Sequence, residues 1–195
     1  MKENFSQFLK KYLKKLNNSI LQANIKNMEL ASKEIIKKVK NKNTIFVCGN
    51  GGSAAIANHY VCDYLKFLRQ HTNLKPKVIS LSNSIETISA ISNDIDYKQV
   101  FKYQAESLVT KNDLLIIISS SGNSGNIKEL LKYAKKQNIK TIGFSGFKGG
   151  YLKKNSNISV HIDIQNYGIA EDSHHILMHI IMQYMVNSVK KKTIF

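Results

Sequence analysis

The sequence predicts an α/β protein built on a doubly wound, five-stranded parallel sheet in three layers, with helices ahead of the sheet and one long helix at its end. Three observations predict it. Short apolar runs recur at Thr44–Cys48, Lys77–Leu81, Leu114–Ile118, Thr141–Ser145 and Ile158–Ile162, with helix-length stretches between them. The runs are β-rich and near-continuous rather than alternating, the pattern of strands covered on both faces. The strand–helix–strand succession within 195 residues suits one such domain, residues 1–195, and leaves little room for a second.

Taken in order, the chain opens with apolar residues at helical spacing. Phe5, Leu9, Tyr12, Leu16 and Ile20 are followed by Ile25, Met28, Ile35 and Val39, which predicts one long helix or two shorter ones. Segment 1–42 is expected to pack on the sheet or on a neighbouring subunit, its lysines forming a solvated face. Pro76, the sole proline, reads as a loop residue before the second strand. Ala170 to about Lys192 reads as a single helix rich in Met, Ile and His. In doubly wound sheets ligands bind beyond the carboxyl ends of the strands. The loops Gly49–Ser53, Leu81–Ser84, Ser119–Ser124 and Ser145–Gly150 are therefore where chemistry belongs.

Composition narrows the function. A 43% apolar, 22% charged chain is an ordinary globular composition. The net charge of +16 points to nucleic acid only until the cations are sorted, because Arg69 is the only arginine among 29 basic residues. Specific readers of nucleic acid lean on arginine for forked contacts, so no nucleic-acid partner is expected. Cys48 and Cys62 form no CxxC pair, which suits a reduced cytoplasmic protein. No apolar signal core follows Met1. The longest apolar run, Ile176 to Val186, is broken by His179 and Gln183 and is too short for a bilayer, so no membrane is expected.

Two loops look built for an anion. Gly49-Asn50-Gly51-Gly52-Ser53 is a glycine turn running into a helix, where backbone N–H groups and the helix start favour negative charge. Gly49, Gly51 and Ala54 also fit a loose dinucleotide fingerprint, but the second strand ends in Leu81-Ser82-Asn83-Ser84 without the acidic residue that fingerprint needs. A purely structural tight turn is the plainer alternative. Ser119-Ser120-Ser121-Gly122-Asn123-Ser124, ahead of an amphipathic helix over Ile127–Gln137, gathers hydroxyls at unpaired helix donors, as a phosphate cradle does. It carries no Walker lysine, so phosphate would be held rather than transferred. A serine-rich turn serving only as a helix cap is the alternative.

Two helices carry acid–base or metal-ligand residues. His59 and Asp63 are spaced i, i+4; Glu171, His175 and His179 repeat that spacing over two turns of the last helix. Each histidine alone is more often a core or surface residue. Together, an imidazole and a carboxylate from each helix make a four-ligand set for zinc or a similar cation. His174 and Asp172 point elsewhere on the helix.

With Gly49-Asn50-Gly51-Gly52-Ser53, Ser92-Asn93-Asp94 and Ser119-Ser120-Ser121-Gly122-Asn123-Ser124 in order, the chain resembles the sugar isomerase (SIS) family, in its phosphoheptose isomerase branch, over nearly its whole length. The resemblance implies a flavodoxin-like sheet between helices and a homotetramer with sites at subunit interfaces. It also implies conversion of sedoheptulose 7-phosphate to D-glycero-D-manno-heptose 7-phosphate, supplying nucleotide-activated heptose for lipopolysaccharide or capsule. One zinc per subunit and no nucleotide cofactor go with it. The family's phosphate-binding hydroxyls match Ser119, Ser121 and Ser124, with Ser120 where threonine is common. Asn50, Gly51, Gly52 and Ser53 match the first loop, and Asn93 and Asp94 the sugar side. The zinc and acid–base histidines match His59 and His179.

Two positions depart from the family pattern. The glutamate four residues after the first histidine, a ligand and general base in the family, is Asp63 here; the glutamine eight residues before the last histidine is Glu171. Both retain an oxygen ligand, and the longer carboxylate moves to the last helix. Glu171 is thus expected to take over proton transfer, with Asp63 mainly a ligand. The catalytic set expected is Asp63, Glu171 and His179, and the metal set His59, Asp63, Glu171 and His179. Two other readings share these motifs: a non-catalytic SIS module that binds a sugar phosphate or a protein, and an isomerase of another sugar phosphate. His179 favours an enzyme, because the replication regulators of the family depart there. A transcription regulator would carry a helix-turn-helix ahead of the sheet, and none is evident.

Overall fold

A computed structural model describes residues 4–189. The amino-terminal stripe forms two helices, α1 (Phe5–Leu21) and α2 (Ile25–Lys40). The break falls where local chemistry favours it: Asn24 accepts from the Asn27 N–H and starts a second helix. Asn4 caps α1 reciprocally, its carboxamide oxygen accepting from Gln7 N while Gln7 Oε1 accepts from Asn4 N. The stripe is only partly covered. Ile35 and Val39 are buried, Tyr12, Leu16 and Ile20 half-buried, and Phe5 and Leu9 exposed.

After α2 come β1 (Thr44–Gly49) and α3 (Gly52–Cys62), which continues through a π-helical stretch, Asp63–Leu68, into the short α4 (Arg69–His71). Then follow β2 (Lys77–Ser80), α5 (Ile85–Ile91), a π-helical turn at Ser92–Asp96, a tighter 3₁₀ turn at Tyr97–Gln99, and α6 (Val100–Leu108). The chain continues through β3 (Leu114–Ser119), α7 (Gly125–Lys136), β4 (Lys140–Ser145), α8 (Gly150–Asn155), β5 (Ile158–His161) and α9 (Tyr167–Val189). Each of the five short apolar runs is a strand, and the longer run Ile176–Val186 lies in α9. α9 starts three residues before Ala170 because Asn166 Oδ1 accepts from Ile169 N and opens the helix earlier. The expected end near Lys192 lies outside the described residues.

The sheet order is β2-β1-β3-β4-β5, all parallel. Val47, Ile116, Ile142 and Ile158 align across four strands. That row faces a core with α2, α3 and α9, while Phe46, Cys48, Leu115 and Ile117 face a second core with α5 to α8. All of β3 is buried, which is why its sequence shows no alternation. Each such aliphatic side chain contributes about 1.5–3 kcal/mol on leaving water. The strand order reverses between β1 and β3. The loops after them therefore diverge and leave a crevice at the carboxyl end of the sheet.

Candidate active site at the switch point

The crevice is where the two anion-type loops meet. Asn50, after β1, and Asn126, in the first turn of α7, exchange two amide hydrogen bonds at 2.9 Å, and Tyr97 donates its hydroxyl to Asn50 Oδ1 at 2.8 Å. Ser82, at the end of β2, braces the same turn by donating to Gly49 O and accepting from Gly49 N. That position, where a dinucleotide site needs a carboxylate, serves here to hold the loop.

Gly51 (φ 54°, ψ −124°) and Gly122 (φ 65°) take the positive φ that lets each loop turn. Between the loops lies a pocket of about 120 Å³ lined by Asn50, Ser53, Ser119, Ser120, Ser121, Ser124, Tyr167 and Glu171. Ser124 precedes α7 yet makes no capping hydrogen bond, and the buried Ser120 hydroxyl has no partner. Ser119 and Ser121 also accept from the loop's own Gly122 and Asn123 N–H groups, at 3.2 and 3.3 Å, while Ser120 lines the pocket without a partner, as a hydroxyl left for a ligand does. A larger cleft of about 290 Å³ lies among Lys135, Lys140, Lys154 and Asn157, at the other end of the sheet and without an acid–base group.

Glu171 reaches the pocket from the first turns of α9. A Cβ on Gly52 would run into its carboxylate, so the glycine at the start of α3 admits that side chain. Burial, reinforced by the neighbouring Asp172 carboxylate, lifts Glu171 above the ordinary carboxylate range. A raised carboxyl holds its proton more tightly, the direction wanted of a group that takes up a proton from carbon.

Farther along α9 stands a histidine cluster facing α3. His59 Nε2 and His179 Nε2 are 3.2 Å apart; Asp63 places Oδ1 3.4 Å from the first and Oδ2 3.0 Å from the second. A tetrahedral zinc bonded to such donors at about 2.0–2.2 Å holds them about 3.4 Å apart, so these three residues fit a divalent cation. His175 joins them, each of the three imidazoles offering a nitrogen within 4.8 Å of the others. Its ring lies 4.7 Å from that of His59 and 4.6 Å from that of His179. Burial, then His179 and His59, lowers the basicity of His175 and favours the neutral ligand form. Asp63 opens the π-helical stretch, a widening often found at functional sites.

The predicted residues thus fall into two adjoining groups, each with a member on α9. Asn50, Ser53, Ser119, Ser120, Ser121, Ser124 and Glu171 line the pocket, with Gly51 and Gly52 in its first loop. His59, Asp63 and His179 form the cluster. Asn93 and Asp94 are exposed on the turn after α5, where the Asn93 amide donates to Asp94 at 2.8 Å, and neither lines the pocket. Tyr97, three residues on, is what reaches the first loop. Sequence reasoning left out Tyr97, Asn126 and Tyr167, and kept His175 from the metal set although its spacing placed it on the right face. His174 is fully buried against Phe144, and burial pushes it down to about 4, which keeps it neutral and structural. Asp172 accepts from Tyr12 at 2.6 Å and ties α9 to α1. Cys48 is buried and Cys62 exposed, with no disulfide.

Known proteins of similar sequence and fold identify the family. The family model described as SIS domain matches residues 7–146. A phosphoheptose isomerase of Aliarcobacter butzleri is 36% identical over 83% of this chain and 85% of its own length. One of Buchnera aphidicola is 34% identical over 95% of this chain and 92% of its own. The solved phosphoheptose isomerase of Francisella tularensis superposes with a TM-score of 0.84 at 24% identity, covering 95% of this chain and 100% of that one. The fold, the two loops and the alignment over most of the chain lead to one conclusion: the protein belongs to the SIS domain family, and within it to the phosphoheptose isomerase branch.

Proposed function

We propose that this chain interconverts sedoheptulose 7-phosphate and D-glycero-D-manno-heptose 7-phosphate, an aldose–ketose isomerisation. One observation carries the reading: α9 brings Glu171 into a serine-lined pocket and, two turns on, His179 against His59 and Asp63. A phosphate site and proton-transferring groups thus share one crevice. The relatives named phosphoheptose isomerase support the substrate.

The serine loop and the first N–H groups of α7 bind the phosphate. Glu171, as carboxylate, removes a proton from C1 of the open-chain ketose. The C1–H pair becomes the C1=C2 bond, and the C2 carbonyl oxygen gains a proton to give the enediol. Return of a proton to C2, with loss of the proton from the C1 hydroxyl, forms the aldehyde, so the proton gained at the C2 oxygen is balanced by the one lost at the C1 oxygen. A divalent cation, zinc by family resemblance and one per subunit, would be held by His59, Asp63 and His179 and would stabilise oxyanion charge on the substrate. Electrons stay within the sugar, so a redox or nucleotide cofactor has no step to serve.

Three further features belong to the proposal. Exposed Phe5, Phe8, Leu9 and Leu13 on α1, with Ile180 and Tyr184 on α9, support self-assembly into the homotetramer the family implies. The setting is cytoplasmic, and no helix among the described residues is long and apolar enough to cross a membrane. The product would feed nucleotide-activated heptose for a surface polysaccharide.

The test is proton NMR with sedoheptulose 7-phosphate in D₂O, following an aldose signal and deuterium at C2, with and without chelator. Both signals are expected, lost on chelation and restored by zinc. Glu171→Gln should lower kcat about 10²–10⁴-fold with KM little changed. Binding of the sugar phosphate without conversion would overturn the reading.

A further inference from the structure

We propose that this chain holds its cation through His59, Asp63, His175 and His179, with Glu171 outside the metal shell. The inference deepens the isomerase reading and rests on it for the task left to Glu171; the ligand set itself rests on geometry.

Four observations carry it. The three imidazoles each present a nitrogen within 4.8 Å of the other two, and among the described residues they are the group of histidine, cysteine and acidic side chains so gathered. His175 Nε2 is buried and has no hydrogen-bond partner, a state that costs free energy unless a ligand completes it. Asp63 spans the gap between His59 and His179 with one oxygen toward each, marking where a cation sits. Glu171 lies elsewhere, over Gly52 and among the serines.

Helix geometry favours the same set. At 1.5 Å rise per residue, His175 and His179 are about 6 Å apart along α9, while Glu171 and His179 are about 12 Å apart. A cation between His59, Asp63 and His179 is therefore a turn closer to His175 than to Glu171. The family resemblance puts an oxygen ligand at position 171. Here the structure assigns that place to the imidazole one turn on, and an aspartate, one methylene shorter than glutamate, completes a three-histidine, one-carboxylate shell. Glu171 keeps a free carboxylate beside the phosphate cradle.

The experiment is a titration of the metal-free, full-length protein with cobalt(II), read by its visible ligand-field absorption and by calorimetry. The wild type is expected to bind one cobalt per chain with the intense absorption of four-coordinate nitrogen–oxygen ligation. His175→Gln should weaken binding at least about 10–100-fold, the loss typical of even an outer-shell partner, and change the spectrum. Glu171→Ala, which leaves no oxygen ligand at that position, should leave affinity within about threefold and the spectrum unaltered. In the wild type, zinc should shift the ring nitrogen resonances of His59, His175 and His179 together, a readout that does not depend on how any variant folds. The proposal is overturned if Glu171→Ala loses the metal while His175→Gln keeps it, if the His175 ring signals stay unmoved, or if no cobalt binds. Because none of these readouts uses turnover, an inactive protein that binds cobalt as described would refute the isomerase and leave the ligand set standing.

Discussion

Gly122→Ala is the most informative single perturbation, because Gly51→Ala controls for half of its effect. Both glycines have positive φ, and an alanine at such a position costs about 1–2 kcal/mol. Around Gly51 a Cβ would meet nothing within 4 Å, so the backbone penalty is the whole cost. At Gly122 the new carbon would overlap the Gly149 carbonyl, with the carbonyl carbon at 2.7 Å, where carbon atoms prefer about 3.5–4.0 Å. Both partners are backbone. The Leu152 N–H donates to Gly122 O at 3.0 Å, so the two loops cannot part freely. Overpacking of this kind adds about 1–3 kcal/mol, giving about 3 kcal/mol in all for Gly122→Ala. For a chain of this size that lowers Tm by about 6–12 °C, against about 2–8 °C for Gly51→Ala. The serine loop must also move by about 1 Å, enough to cost up to about 10²-fold in kcat/KM. Thermal unfolding and steady-state kinetics on the two variants test this. Equal losses in both would refute the overlap and leave only the positive-φ backbone.

Two further outcomes follow from the site and its supports. Ser121→Ala removes a hydroxyl expected on phosphate; hydrogen bonds to charged groups contribute about 1.5–3 kcal/mol, so KM should rise about 10–100-fold with kcat nearly unchanged, and inorganic phosphate should compete correspondingly less well. Tyr12 is pushed up to about 12 by its hydrogen bond to Asp172, then by burial. Its folded value lies above the unfolded one, so this stabilisation is complete below about pH 10 and lost as pH rises through 10 to 12. After solvent screening it amounts to about 1 kcal/mol. Urea unfolding should show Tyr12→Phe less stable than wild type by that amount at pH 8, the gap closing toward pH 12; a constant gap would mean that the hydroxyl packs rather than bonds.

The strands and the two loops were readable from local sequence because each is locally determined. A fully buried strand such as Leu114–Ser119 must be apolar throughout, and a turn that presents backbone N–H groups to an anion needs the glycines and serines found at 49–53 and 119–124. Helical periodicity likewise put Glu171, His175 and His179 on one face of α9. What that face meets is not local. Whether α9 sets Glu171 over Gly52, and His175 beside His59, depends on where α3 lies, more than a hundred residues earlier, and on the strand order that brings them together. The same holds for the Asn50–Asn126 pair and for Tyr97, whose hydroxyl closes on a loop forty-seven residues away. Phe5 and Leu9 show the opposite limit, since their spacing is that of a buried stripe while the single chain leaves them exposed. By itself the sequence determined the elements, the crevice and the residues able to do chemistry. The tertiary structure decided which carboxylate stands with the serines and which with the histidines, because side-chain spacing sets the face a residue occupies and only packing sets the face opposite.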